Sequence, residues 1–218
     1  MKQGRHNMKI GLAIALVLAT IAIGALAPAD VQSFLASEGG PVEWATVACY
    51  AVALGYIVFC GLYQKAKWIF WLIVVFMMRE LDFDARFTGG KITKLDFYLA
   101  PDLHLLQALY AVALLGGFFF VVFMVVKSYG RNFAVEVKEG TPIGLAAILA
   151  LMATGLSKLI DGPRRKASRM GIDLSEQQIV ILQIVEESLE LLLPLMIIVA
   201  LSHYHRTLQS PSSFATGQ

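Results

Sequence analysis

Charged residues are scarce in this chain: Asp, Glu, Lys and Arg make up 16% of its 218 residues, whereas a soluble domain carries about a quarter. Hydrophobic residues make up 57%. The few basic residues lie at the ends of loops rather than in one stripe, so they do not form a surface for nucleic acid. This composition excludes an ordinary soluble domain and argues against a nucleic-acid partner.

Cysteine and the common catalytic motifs are also scarce or missing. Cys49 and Cys60 lie in one predicted helix, where they would stand about 16 Å apart, too far for a disulfide. The chain lacks the paired Glu-x-x-His of di-iron bundles, His-Glu-x-x-His, Gly-x-Ser-x-Gly and a Walker loop. A disulfide scaffold, the common metalloprotease and serine hydrolase sites, and a nucleotide site of Walker type are therefore excluded.

Long apolar runs are what the chain does have. Several reach about 20 residues, the length that crosses a bilayer core. They predict an all-α fold: a polytopic membrane protein in which residues 1–218 form a single transmembrane domain, a bundle of six transmembrane helices, with a short flexible tail at 207–218. The predicted spans are 9–27, 43–64, 67–87, 102–127, 141–160 and 175–204.

Basic residues near the first span predict the direction of the chain. Lys2, Arg5 and Lys9 precede that span, which is longer than the apolar core of a cleaved signal peptide. We therefore expect a retained signal-anchor. Counted over the whole chain, Lys and Arg divide evenly between the two sides, but the first span usually dominates. The expectation is a multi-pass protein of the bacterial inner (plasma) membrane with both termini cytoplasmic.

The third predicted span ends in a group of charges. The segment "FMMRELDFDARF" follows the apolar run at 68–76 without a turn residue. A helix that ended at Met78 would be too short to cross the membrane, so we expect it to continue to Phe87. Glu80 would then lie inside the membrane, facing protein or a polar cavity. The charged residues of this segment are Arg79, Glu80, Asp82, Asp84 and Arg86.

The sixth predicted span repeats this pattern in "ILQIVEESLELLLPLM". Glu186 and Glu190 lie one turn apart on one face, and Glu187 points about 100° away. Pro194 cannot donate to the carbonyl of Glu190, so the helix is expected to loosen there. Counted from opposite interfaces, Glu80 and Glu186 lie within about 5 Å of the same depth. We therefore expect one shared polar cavity in the outer half of the bilayer.

The residues of this predicted site fall into three groups. The candidate catalytic residues are Glu80, Glu186 and Glu190. The candidate metal ligands are Glu43, Glu80, His104, Glu186, Glu187 and Glu190. The candidate substrate-binding residues are Arg79, Asp82, Asp84, Arg86, Arg164 and Arg165. Carboxylates with one histidine suit a divalent cation such as Zn²⁺, Mg²⁺, Mn²⁺ or Ca²⁺, and buried carboxyls also suit a metal-free acid/base pair, so the cofactor is left open.

Two resemblances accompany these residues. "PVEWAT", "RELDFD" and "EESLELLLP" resemble segments of uncharacterised bacterial polytopic inner-membrane proteins with acidic intramembrane motifs, a resemblance that spans most of the chain and implies no activity. The pair Glu186–Glu187 also resembles that of intramembrane CAAX-type proteases. This second resemblance stops there, because Leu191 and the following residues do not continue the motifs of that family.

Three functions stay open at this stage. The first is a membrane-embedded hydrolase or transferase, with or without a metal ion, that acts on a lipid-like substrate. The second is an ion- or proton-coupled carrier or channel, since intramembrane acids are common proton relays, although the cytoplasmic half has few polar residues to complete a path. The third is a non-catalytic subunit with internal ion pairs. Membrane lipids are the expected partners, with a homo-oligomer or a larger membrane complex also open.

Overall fold

Helices form the regular structure of this chain. The computed structural model describes residues 2–37, 39–88, 92, 95–99 and 103–209, and these residues contain helices and no strand. In chain order the helices are α1 (Lys2–Leu26), α2 (Ala29–Leu35), α3 (Pro41–Phe59), α4 (Tyr63–Glu80), α5 (Phe83–Thr88), α6 (Leu95–Tyr98), α7 (Leu105–Lys138), α8 (Pro142–Ile160), α9 (Pro163–Arg169) and α10 (Glu176–Gln209). The predicted all-α class is confirmed for the described residues.

Four of the described helices are long and apolar enough to cross a membrane. They are Asn7–Leu26, Pro41–Phe59, Leu105–Lys138 and Pro142–Ile160. These helices correspond to the first, second, fourth and fifth predicted spans and are compatible with a multi-pass membrane protein. The helices at the third and sixth predicted spans, α4 and α10, are not among the four. These two helices carry four of the five glutamates of the predicted site.

The prediction of one continuous helix over 67–87 is wrong. Helix α4 ends at Glu80, and α5 begins at Phe83. Between them, Asp82 has a φ of 46°, in the left-handed region that Asp adopts more readily than most residues. Helix α4 begins earlier than predicted, at Tyr63, but its backbone is kinked at Ala66 (φ −125°, ψ 25°). The regular part after the kink spans about 21 Å.

Two other helices end beyond their predicted positions. Helix α7 continues to Lys138 and α10 to Gln209. Residues 207–209, which were predicted to begin the tail, are therefore helical, and the remainder of the predicted tail lies outside the described residues. Helix α10 also continues through Pro194 without an interruption. The predicted loosening beside Glu190 therefore does not interrupt this helix.

Local signals explain where the helices of the candidate site begin. The backbone N–H of Ser175 donates to Gln178 Oε1 at 2.9 Å, and the N–H of Gln178 donates to Ser175 Oγ at 3.3 Å, which is a capping box at the start of α10. Helix α8 begins with Pro142, whose missing N–H costs nothing in a first turn. Thr141 caps α8 by accepting the N–H of Gly144 at 3.2 Å.

Helix α10 is the centre of the packing. It packs most extensively against α8, and also against α1 and α3. Alanines on the inner face of α8 let α10 approach closely, and Ala146, Ala150 and Ala153 are buried against Leu192 and other residues of α10. Helix α7 lies at the edge, packed on α4 and α8, with Ala111 as its one buried residue. The glutamates of α10 therefore lie among other helices of the bundle.

Candidate functional site

One arginine joins the end of α4 to the middle of α10. Arg79 Nη2 lies 3.0 Å from Glu80 Oε1 and 2.8 Å from Glu190 Oε1. The Glu80 and Glu190 side chains are only 6% and 13% exposed. Arg79, a member of the predicted substrate-binding set, is therefore in contact with two acids inside the fold.

Helix α8 brings two further donors to the same carboxylate. Ser157, which is fully buried, donates its hydroxyl to Glu190 Oε1 at 2.8 Å. Lys158 Nζ lies 3.1 Å from that oxygen and 3.7 Å from Asp161 Oδ2. Glu190 Oε1 thus has contacts with α4 through Arg79 and with α8 through Ser157 and Lys158. This arrangement makes Glu190 the meeting point of three helices.

The remaining glutamates surround this meeting point. Glu187 interacts electrostatically with Glu190, Glu43, Glu186 and Glu80. Glu186 interacts with Glu190 and with Lys158. We call these residues, Glu43, Glu80, Glu186, Glu187 and Glu190, the carboxylate cluster. It contains every glutamate that the sequence predicted for the site.

The side of the cluster toward α3 is closed. Tyr50 is 1% exposed and lies within electrostatic range of Glu80 and Glu190. Its ring centroid is 6.3 Å from that of Phe76 on α4. Glu43, at the start of α3, accepts the backbone N–H of Gly39 at 2.6 Å. The buried tyrosine therefore belongs to the apolar core between α3 and α4 and lies near the carboxylate cluster.

The basic residues of the site are much more exposed than its acids. The Arg79 and Lys158 side chains are 42% and 47% exposed, although their partner Glu190 is 13% exposed. Because Arg79 Nη2 and Lys158 Nζ contact the same carboxylate oxygen, the two cationic groups lie close together. Two accessible cations therefore cover buried carboxylates, and an anionic group could approach them from outside the bundle.

Other residues of the predicted site are not brought to the carboxylate cluster. Within the described part of the chain, no contact joins the cluster to His104, Asp82, Arg86, Arg164 or Arg165. His104 is exposed at the start of α7, and its backbone N–H donates to Gln107 Oε1 at 3.3 Å. Arg164 pairs instead with Glu176 at 2.5 Å. The side chain of Asp84 lies outside the described residues.

The described side chains do not form a metal site. Among them, no group of three or more His, Cys, Asp or Glu residues is arranged to hold a metal ion. His104, the one histidine in the predicted ligand set, makes its described contact at the start of α7. The positive charge beside the carboxylate cluster comes from Arg79 and Lys158.

Three residues of the site were not predicted from the sequence as part of it. Ser157 and Lys158 occupy the last turn of an apolar span, where a lysine ordinarily extends to the interface. Tyr50 occupies the middle of another apolar span and carries no motif. The only sequence signal for Lys158 is its spacing from Asp161, which permits an ion pair along one helix.

The fold and the site together define a class of protein, a helical bundle with several candidate membrane spans and a buried network of carboxylates and basic side chains. No family model, curated protein or solved structure matches the chain. The functional argument therefore depends on the geometry of the site, and the resemblance to bacterial inner-membrane proteins stays an expectation.

Proposed function

We propose that this chain is a multi-pass membrane enzyme, a hydrolase or transferase that uses carboxyl groups as acid and base on a lipid-like substrate with an anionic group. The observation that carries the proposal is the position of Arg79 and Lys158. Both contact Glu190 Oε1, at 2.8 and 3.1 Å, and both remain nearly half exposed above buried carboxylates. An enzyme for such a substrate needs an accessible anion-binding group beside a proton donor and acceptor.

The two cations supply the binding half of this function. A guanidinium offers a planar set of donors that suits phosphate and carboxylate, and an ammonium adds a second charge. Glu80 and Glu190 hold Arg79 in place through contacts of 3.0 and 2.8 Å. We therefore assign Arg79 and Lys158 to substrate binding, with Glu80 and Glu190 as the carboxylates that position them.

The other carboxyl groups supply the proton-transfer half. The carboxylate cluster contains five acids, and its direct ion pairs come from Arg79 and Lys158. Close carboxyl groups with too few cations cannot all ionise in a low-dielectric site, so some keep a proton. Glu187 interacts with four other glutamates, and Glu186 with Glu190 and Asp161. We assign Glu186 and Glu187 to proton donation and acceptance.

The proposed membrane arrangement has six crossings, with α4 and α10 added to the four apolar helices. Helix α10 packs against α8, α1 and α3, and α4 packs between α3 and α7. Because α4 and α10 pack beside helices that are apolar enough to cross the membrane, we place them at the same level in the bilayer. We propose a bacterial inner-membrane location with both termini cytoplasmic, so that the carboxylate cluster lies in the outer half of the bilayer.

The test is lipid turnover by the purified protein. Wild-type protein in mixed micelles with a bacterial lipid extract is expected to change the lipid composition measured by mass spectrometry. Glu187→Gln should lower that rate at least tenfold by removing the proton donor, within the range expected for general acid catalysis. Arg79→Gln should mainly raise KM. The matched control is Glu176→Gln, since Glu176 is 76% exposed and pairs with Arg164 on the surface.

A second function, a non-catalytic membrane subunit, is favoured by the contacts of Glu190. Arg79, Ser157 and Lys158 all serve this one carboxylate, as they would in a purely structural network. Unchanged lipids with wild-type protein, together with lost stability in Arg79→Gln, would support the subunit and contradict the enzyme. A proton carrier would instead acidify proteoliposomes, and the apolar run at 191–201 of α10 gives no polar path for it.

A further inference from the structure

A second candidate site lies between α1 and α10, away from the carboxylate cluster. A cavity of about 290 Å³ runs between the two helices. Its lining includes Leu12 and Leu16 from α1 and Leu195 and Ile198 from α10, with Lys9 and Ser202 also at the cavity. Ser202 lies about 18 Å along α10 from Glu190, so this cavity is separate from the site described above.

Polarity changes along the length of this cavity. Lys9 Nζ donates to Ser202 Oγ at 3.0 Å, which places the charged end of the cavity beside the C-terminal part of α10. Further along, Val17 of α1 and Leu192 of α10 belong to one apolar core. The seven-residue step from Lys9 to Leu16 covers about 10 Å. A phospholipid has the same polarity, with a polar head group at the interface and acyl chains directed into the bilayer.

The charges at the polar end favour an anion. The hydrogen-bond partner of Lys9 is a neutral hydroxyl, and Arg206 lies within electrostatic range of Lys9. His203 lies within range of both of these cations and of Glu136 on α7. The ammonium of Lys9 has three N–H donors, and Ser202 accepts one of them, so an anionic group beside Lys9 could accept another.

We propose that this groove binds an anionic phospholipid, with one acyl chain along the apolar lining and the phosphate held by Lys9. The inference does not depend on the proposed enzyme function, because no residue of the carboxylate cluster lines the groove. It places a bound lipid against α10, the helix that also carries Glu186, Glu187 and Glu190.

Lipid binding to the purified full-length protein tests this proposal. Delipidated protein in detergent is titrated with phosphatidylglycerol or with phosphatidylcholine of the same acyl chains, and bound lipid is counted by native mass spectrometry. Wild-type protein should retain phosphatidylglycerol preferentially. Lys9→Gln, which can still donate to Ser202, should weaken that binding about fivefold, the effect of one basic residue beside an anionic lipid. Lys9→Arg should bind as wild type does.

Two further variants test whether the lipid lies in the groove and whether the charge effect is specific to Lys9. Leu12 lines the groove and is 72% exposed, so Leu12→Trp should obstruct the acyl chain without entering the core, and should weaken phosphatidylglycerol binding. Lys138→Gln is the matched control, since Lys138 is an exposed lysine at the end of α7, and it should bind as wild type does.

Several results would overturn the proposal. Equal binding of the two lipids by wild-type protein would mean that the groove does not select an anionic head group. Unchanged phosphatidylglycerol binding in Lys9→Gln would mean that Lys9 does not hold the phosphate. Unchanged binding in Leu12→Trp would mean that the lipid does not lie in this groove. An equal loss in Lys138→Gln would mean diffuse surface charge. Binding of soluble glycerol phosphate as tight as that of phosphatidylglycerol would exclude a role for the acyl chain.

Discussion

Glu190 accepts contacts from three donors on one oxygen, those of Arg79, Ser157 and Lys158. A carboxylate that is 13% exposed has lost most of its hydration, so these donors replace water. Glu80 depends on the same guanidinium and is buried even further. Removing Arg79 would therefore leave the buried Glu80 carboxylate without its cation and Glu190 with Lys158 alone, which is costly even if the intact network adds little net stability.

Arg79→Ala is expected to lower the free energy of unfolding by about 2 kcal/mol, less than for a fully buried pair because the Arg79 side chain is 42% exposed. Arg164→Ala is the matched control, since its pair with Glu176 has side chains 67% and 76% exposed. That loss should stay below about 1 kcal/mol. The measurement is the unfolding midpoint of each purified variant in the same detergent.

Equal losses of unfolding free energy in Arg79→Ala and Arg164→Ala would contradict the burial of Glu80 and Glu190, the partners of Arg79. A rescue of Arg79→Ala by a second change, Glu80→Gln, would support it. The second change removes the carboxylate that the first leaves without a cation, so the double variant should be more stable than additivity predicts.

At the scale of elements, the turn between α7 and α8 brings the backbones of the two helices close together. Gly144, in the first turn of α8, lies directly against the backbone of α7, and a Cβ at this position would collide with the carbonyl of Glu136. Thr141 adds a hydrogen bond to the Glu136 side chain. A glycine is required at this position because two backbones approach each other, and its φ is not in the left-handed region.

Gly144→Ala is expected to destabilise the protein by about 1 to 3 kcal/mol, the usual cost of overpacking. Gly155→Ala, in the same helix, is the matched control. No described atom outside its own neighbourhood in α8 lies within 4 Å of a Cβ at this position, and alanine is the better helix former by about 1 kcal/mol. Thermal unfolding should therefore shift down in the first variant and stay level or rise in the second.

The opposite order of these two variants would contradict the close approach of α7 and α8. Gly144→Ala should also lower any lipid turnover only in proportion to the folded fraction, since Gly144 belongs to the turn and not to the carboxylate cluster.

At the scale of the whole molecule, the central position of α10 explains how charges from distant segments meet. Its neighbours α8, α1 and α3 shield most of its length, while α7 covers α4 and α8 from outside. The carboxylate cluster lies near the far end of α8, and the groove with Lys9 lies toward the other end of α10. This separation predicts that the two candidate sites face opposite sides of a membrane.

Cysteine labelling tests that arrangement. In a background with Cys49→Ala and Cys60→Ala, Ser168→Cys on α9 is expected to react with an impermeant thiol reagent in intact cells. Lys138→Cys should react only after the cells are permeabilised, because α8 crosses the membrane between the two positions. Both parent residues are exposed. The measurement is the labelled fraction of each variant before and after permeabilisation.

The reverse pattern would invert the proposed orientation and leave the carboxylate cluster intact. Labelling of both positions from the same side would exclude α8 as a crossing, although it is one of the four helices with suitable length and composition.

Much of the architecture follows from local sequence. Apolar runs of sufficient length form helices whatever their partners, and the capping box at Ser175 and the proline at Pro142 set helix starts through contacts within a few residues. The glutamates of α10 on one turn, and the scarcity of charge elsewhere, were enough to predict that Glu80, Glu186 and Glu190 would lie close together. Their chemical role remains a proposal.

The tertiary structure decided which donors those glutamates have. Arg79 and Ser157 reach Glu190 from positions 111 and 33 residues away in the chain, so no local pattern could identify them as partners. The sequence did not predict the break at Asp82, because the turn between α4 and α5 contains neither glycine nor proline, the usual sequence signals of a turn. By itself, the sequence determined an all-helical, largely apolar chain with acids at one level. The packing of α8 and α3 against α10, and of α4 against α3, determined that one carboxylate holds two cations, because only tertiary contacts bring those helices together.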